Sequence, residues 1–332
     1  MRTCKERWTM RRNRLTRFCK NKSVRRRGHF PLVSSFLKGA VPMHTRKWQR
    51  EAYYFFLPGF LFICLFLIYP LVQNFVYSFF DFRLTRLEEK SFIGFDHYVS
   101  IVNDSLFWIT LRNLLYYGLL TVPGQMVLGF LVAYALFRSF PGVKVFRAVY
   151  FLPVITSWVV ASLVFKFIFT DQGFLNYVLT DKLHWTSSPV TWLSSPFLAL
   201  TVLGILGIWK GVGWVMVLYL AALQNVPRDL FDAAKVDGAG AWQRMIHITL
   251  PSVRSTTQFI QVMLIIGAFN VFTSVVLITN GGPLHETEVL LSWMYNKAFH
   301  HYDLGFAAAL AYLFALPIAL LNWLQMRWRA GE

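Results

Sequence analysis

Few residues in this chain have side chains suited to chemistry, and those that do sit in an apolar setting. Lys210 stands inside a long hydrophobic run beside Trp209 and close to Trp214, and Asn270 places one amide in another such run. A charge inside such a run is costly and often functional. Indole faces also stack well on sugar rings. Packing against lipid would account for the two tryptophans equally well. His300-His301-x-Asp303 lacks both the i, i+4 helical spacing and the fourth ligand of a metal centre, so it reads as an ordinary loop cluster. No Gly-x-x-x-x-Gly-Lys-Ser/Thr loop occurs, and no Ser-His-Asp or Cys-His arrangement stands out. Gly211-x-Gly213 and Gly238-x-Gly240 lack the third glycine of a dinucleotide turn. Cys4, Cys19 and Cys64 are too few and too scattered for a disulfide or metal framework. The chain is therefore not expected to be an enzyme or to carry a metal or cofactor.

What must position these residues is a set of membrane helices. Of 332 residues, 56% are hydrophobic and only 15% charged, where a soluble domain would carry about a quarter charged. Six apolar runs have span character: Tyr53–Phe80, Asn113–Phe137, Ala148–Phe165, Phe197–Leu223 (interrupted by Lys210), Ser255–Thr279 and Leu304–Met326. About 20 residues are needed to cross the hydrocarbon core, so the third run is marginal. Pro58, Pro70, Pro123 and Pro153 fall in or near these runs, which membrane helices tolerate. The expected fold is an all-α integral membrane protein with six transmembrane helices.

Charge sets the orientation. Residues 1–50 hold sixteen Lys and Arg against Glu6 alone. Because this basic stretch leads directly into an apolar run, it reads as a cytoplasmic flank and not as a nucleic-acid surface. No small-residue cleavage site follows, as a signal peptide would require. Met43 opens a shorter flank of its own, so residues 1–42 are expected to be a poorly ordered extension or the product of an upstream start codon. Arg138, Lys144 and Arg147 crowd the loop after the second run, and Arg327 and Arg329 follow the sixth. The first and third loops balance or exceed their basic residues with acids. Both termini are then cytoplasmic, in a multi-pass protein of the cell membrane whose surroundings are lipid. The chain divides into a basic extension (1–50), a first helix with its external loop (51–108) and a main transmembrane domain (109–326).

One cytoplasmic loop, 227–251, is more elaborate than a connector needs to be. Pro227, Asp229 and Asp232 suit a helix start, Gly238 and Gly240 break that helix, and a second helical stretch runs from Ala241 toward Pro251. Taken alone, this helix–turn–helix could lie on the bilayer or dock into a groove on another protein. Its residues decide between these. Asp232-Ala233-Ala234-x-x-Asp237-Gly238-Ala239, followed by Ile248-Thr249-Leu250-Pro251, resembles the EAA motif of permease subunits of binding-protein-dependent ABC importers. Asp232 stands where that family usually has Glu. Phe146-Arg147 through Pro153, Gly173 to Asn176, Trp209-Lys210-x-x-Gly213, Asn280-Gly281-Gly282-Pro283 with Thr287, and Leu304 to Ala309 resemble the maltose and glycerol-3-phosphate type of carbohydrate-uptake permease.

The resemblance covers about residues 53–326 and implies a type I importer permease fold. It implies that Asp232, Ala233, Ala234, Asp237, Gly238, Ala239 and Pro251 couple this chain to a separate cytoplasmic ATPase subunit. It further implies a second, homologous permease subunit and an extracellular solute-binding protein as partners, with no role for nucleic acid. The fourth and fifth runs would line the solute path, which favours Trp209, Lys210, Trp214 and Asn270 as path residues. The cargo would be a sugar, polyol or sugar phosphate. The alternative is an ion-coupled secondary transporter, which would be expected to carry acidic or His relays inside its spans. None of the six runs has an internal Asp or Glu.

Overall fold

A computed structural model describes residues 46–85 and 90–330. The expectations for residues 1–42 lie outside that range. The chain divides into two units, one ending at Tyr69 and the other starting at Pro70. In the first unit, α1 (Arg46–Ile63) passes into the π-helical turn Cys64–Ile68. The second takes up all but the first residue of α2 (Tyr69–Tyr77), which leads to a two-residue ribbon in which β1 (Phe80–Asp81) pairs antiparallel with β2 (Ser91–Phe92). There follow α3 (Asp96–Asn103), α4 (Ser105–Phe137), the pair α5 (Val143–Ile155) and α6 (Trp158–Phe169), and α7 (Pro196–Gln224). Two short helices come next, α8 (Arg228–Val236) and α9 (Ala241–Arg244). The chain ends with α10 (Arg254–Phe269), α11 (Thr273–Ile278), α12 (Leu290–Tyr295) and α13 (Leu304–Ala330).

The molecule is helical, as expected, but its apolar runs are not six plain rods. By length and composition Tyr53–Tyr77, α4 and α7 could each cross a membrane. The third run is a broken pair: α5 and α6 meet at a 94° bend across Thr156 and Ser157. Pro153, which has no N–H to give the ladder, sits one turn ahead of the bend. Ser157 then starts α6 by accepting the Val159 N–H at 3.2 Å. The fifth run breaks as well, at Asn270 to Phe272 between α10 and α11. The sixth run lies within the last helix, of which Leu304–Leu320 is one apolar stretch.

α4 and α7 form the spine. Gly204, Gly207 and Gly211 lie along one face of α7, and a Cβ added at Gly207 would stand 2.6 Å from the Tyr117 hydroxyl. Small residues let two helix backbones approach where no hydrophobic effect drives them together. Two apolar clusters flank this contact. One, at the Ser105 end of α4, joins Leu114, Leu203, Leu206, Val275, Trp293 and Leu310; the other, at the Phe137 end, joins Phe130, Met216, Tyr219, Leu223, Val253 and Ile260. Both are well packed, so α4 and α7 are fixed at the two ends of the segment that carries Lys210.

Candidate functional site

The bend between α5 and α6 opens a cavity of about 370 Å³ against α4, α7 and α10, within the size range of small-molecule sites. Tyr117, Thr121 and Gln125 of α4, Thr156, Ser157 and Trp158 at the bend, and Lys210 and Trp214 of α7 give it polar and aromatic walls. Leu264, Gly267 and Ala268 of α10 close it. No acidic residue is among the described residues that line it. Gly211 leaves the room that the Gln125 amide occupies, because a Cβ at that position would overlap the amide oxygen.

Lys210 is buried, at 5% exposure, and its ammonium lies against backbone. Nζ donates to the carbonyls of Pro153 at 3.0 Å, of Val154 at 3.4 Å and of Thr156, and stands 5.0 Å from the centre of the Trp158 ring. Trp214 shares the cavity wall with it. The other two expected path residues lie elsewhere. Trp209 turns to Phe165, with ring centres 5.6 Å apart, and is 43% exposed. Asn270 ends α10, where its amide donates to the Ile266 carbonyl at 2.8 Å. Gln125, Trp158 and Tyr117 were not picked out from sequence. The available signal was Gln125 itself, a polar amide inside an otherwise apolar run.

The loop 227–251 forms a second feature. α8 runs to Val236 and Asp237 caps it; Gly238 then takes φ +75°, a left-handed backbone that lets Ala239 N–H return to the Ala234 carbonyl at 2.9 Å. Asp232 is exposed and pairs with Lys235 at 2.7 Å. Ala234 is buried beneath the helix, while Ala233, Val236 and Trp242 face outward. Phe231 packs on Phe137 at the end of α4, with ring centres 6.3 Å apart. After α9 the backbone widens into the π-helical turn Met245–Thr249 and re-forms as Leu250–Ser252, which contains Pro251. The wider turn accommodates a proline that can neither donate to nor fit closely against the preceding turn.

A third feature lies at the opposite end of α4. Asn113 donates to the carbonyls of Glu286 at 2.7 Å and Glu288 at 2.8 Å, and Arg112 pairs with Glu286 at 2.7 Å. Thr287 hydrogen-bonds Gly282 O at 2.6 Å and Thr279 at 2.9 Å. The Glu288 carboxylate is almost fully buried and is held by Ser292, Asn296 and His285. Gly281, at φ +80°, makes space for it: a Cβ there would stand 2.6 Å from the carboxyl group. Asn280 to Thr287 thus form a pinned loop, and the buried Glu288 carboxylate that follows it was not anticipated from sequence.

Residues 125–328 match the family described as binding-protein-dependent transport system inner membrane component. The chain belongs to that family. It is 32% identical over 280 residues to the probable ABC transporter permease protein YurN of Bacillus subtilis (strain 168), covering 83% of this chain and 94% of YurN. With the lactose transport system permease protein LacF of Rhizobium radiobacter it shares 31% identity over 286 residues, covering 84% of this chain and 94% of LacF. The arabinooligosaccharides transport system permease protein AraP of Bacillus subtilis (strain 168) is 28% identical over 288 residues, covering 84% of this chain and 88% of AraP. A chain from the crystal structure of a bacterial ABC transporter involved in alginate import superposes with a TM-score of 0.72 at 23% identity, over 85% of this chain and 99% of that one. The fold is therefore that of a type I ABC permease, and two of these relatives, LacF and AraP, are transport permeases for lactose and arabinooligosaccharides. Each of the three features above lies wholly or partly within the matched segment.

Proposed function

We propose that this chain forms half of the translocation path of an ATP-driven importer for a sugar or sugar-like solute in the cytoplasmic membrane. It would cross the bilayer six times, with both termini inside, counting the bent pair α5–α6 as one crossing and α10–α11 as another. A second permease of the same family completes the path, and an external solute-binding protein delivers the cargo. The names of LacF and AraP, which are transport permeases for lactose and arabinooligosaccharides, support a carbohydrate as that cargo.

The observation that carries this proposal is the turn at Gly238. An ordered helix–turn–helix, exposed on one side and seated on α4 on the other, stands between α7 and α10. Ala233, Ala234 and Ala239 keep the turn slim, Asp232 and Asp237 provide charge, and Pro251 ends the motif where the next membrane segment begins. Such a surface suits insertion into a cleft of a cytoplasmic ATPase subunit. Hydrolysis belongs to that subunit, since no phosphate-binding loop occurs in this chain. In the cavity, Trp214 and Trp158 offer faces for sugar rings and the Gln125 amide offers hydrogen bonds.

The test is to purify the complex through this chain and reconstitute it with its binding protein. We expect an ATPase subunit to co-purify, with hydrolysis stimulated by binding protein loaded with a neutral oligosaccharide. A chain that purifies without any ATPase, and whose transport follows an ion gradient, would overturn the proposal.

A further inference from the structure

A helix broken inside a membrane leaves its last carbonyls without partners, and hydrocarbon supplies no donors. On the reading proposed above, in which α5 and α6 together make one crossing, α5 ends in that position. Its final turn frees the carbonyls around Pro153 and Val154, and the reversal at Thr156 frees one more. The Thr156 hydroxyl returns to the Pro153 carbonyl at 2.7 Å. The remaining demand is met from another helix, because the three N–H groups of the Lys210 ammonium point to the carbonyls of Pro153, Val154 and Thr156.

The electrostatics agree with the hydrogen bonds. No acid lies among the described residues lining the cavity, so Lys210 has no counter-charge there. The negative end of the α5 dipole meets it instead, with the face of Trp158 beside it. Gly213, one turn further along α7, has no Cβ because the Tyr150 carbonyl of α5 occupies that space. α7 is thus pressed against the end of α5 at the level where its lysine is needed. We propose that Lys210 is a positioning residue: its ammonium caps α5 and keeps the third crossing broken, holding Ser157 and Trp158 in the cavity wall. It is not a receptor for a charged solute, because its donors are already engaged.

Donor capacity and charge can be separated by substitution. Arg and Gln can donate to carbonyls, the second without charge, whereas Met fills the space and donates nothing. In membranes carrying the full-length chain, with its three cysteines replaced by Ser, the labelling rate of Ser157→Cys by a small maleimide reports whether the bend is held. Leu284→Cys, 93% exposed in a distant loop, is the control site. We expect Lys210→Met to change labelling at 157 by about tenfold or more, with no change at 284. Lys210→Arg and Lys210→Gln should stay within about threefold of the parent. Equal rates at 157 in the Met variant and the parent would overturn the proposal. So would a Gln variant that behaves like Met, since charge and not donation would then be at work. If the Met variant does not accumulate, the Gln variant decides alone: near-parental labelling supports the cap, and a tenfold change or loss of the protein refutes it. None of these measurements needs the solute to be known.

Discussion

Gly238 gives the sharpest test of coupling, because its requirement is purely conformational. The residue sits at φ +75°, and a Cβ added there meets nothing within 4 Å. Replacing it with Ala therefore costs only the left-handed backbone, about 1–2 kcal/mol for an L-residue. That lowers the ratio of the formed turn to its alternatives by a factor of about 5 to 30. The turn is exposed and lies outside the packed clusters, so insertion and thermal stability should be unchanged. If α9 must be aimed by this turn to engage the ATPase, solute-stimulated hydrolysis should fall by a comparable factor in the reconstituted complex. Gly238→Asn should retain much more, because Asn tolerates the left-handed region. Gly238→Val should lose the most. Gly238→Asp should also lose stimulation while the protein still inserts, since it adds a carboxylate at the proposed docking surface. Full stimulation with Ala, or an Asn variant as poor as Val, would refute the idea that this backbone angle carries coupling.

Asp232→Lys should abolish ATPase co-purification with no loss of membrane abundance, because it reverses the charge on the exposed face of α8; retained co-purification would remove Asp232 from the interface. Trp214→Ala should raise the half-saturating solute concentration for uptake by about fivefold, the scale of one lost ring contact. Trp209→Ala, at a residue outside the cavity wall, should leave that value near the parent's in the same uptake assay. Gly281→Ala should destabilise the chain by about 2 to 4 kcal/mol, from its positive φ and from displacement of the buried Glu288 carboxylate, read as a lowered Tm in detergent. Asn113→Ala removes two donated bonds at 2.7 and 2.8 Å and should cost about 2 kcal/mol in the same melt.

What could be read from sequence follows from which forces leave a local trace. α4 and α7 were visible because apolarity alone identifies a long helix in lipid, and Gly238 because a helix start and a helix stop flank it. The pinning of Asn280 to Thr287 was not visible, since Asn113 and Glu288 meet across most of the chain and neither belongs to a local pattern. The break in the third run is the more instructive case. Hydropathy averages over Thr156 and Ser157, which are barely polar enough to register, and Pro153 alone is compatible with an intact membrane helix. The decisive signal lay in a different run, as a lysine with no acid to pair with. A lone cation at that depth needs acceptors, and in a chain without buried acids nearby the acceptors left are backbone carbonyls. Carbonyls are freed chiefly where a helix ends or a proline interrupts its ladder. An unpaired lysine inside one apolar run is therefore grounds for expecting a broken helix in a neighbouring run, and the proline preceding Thr156–Ser157 marks where to look.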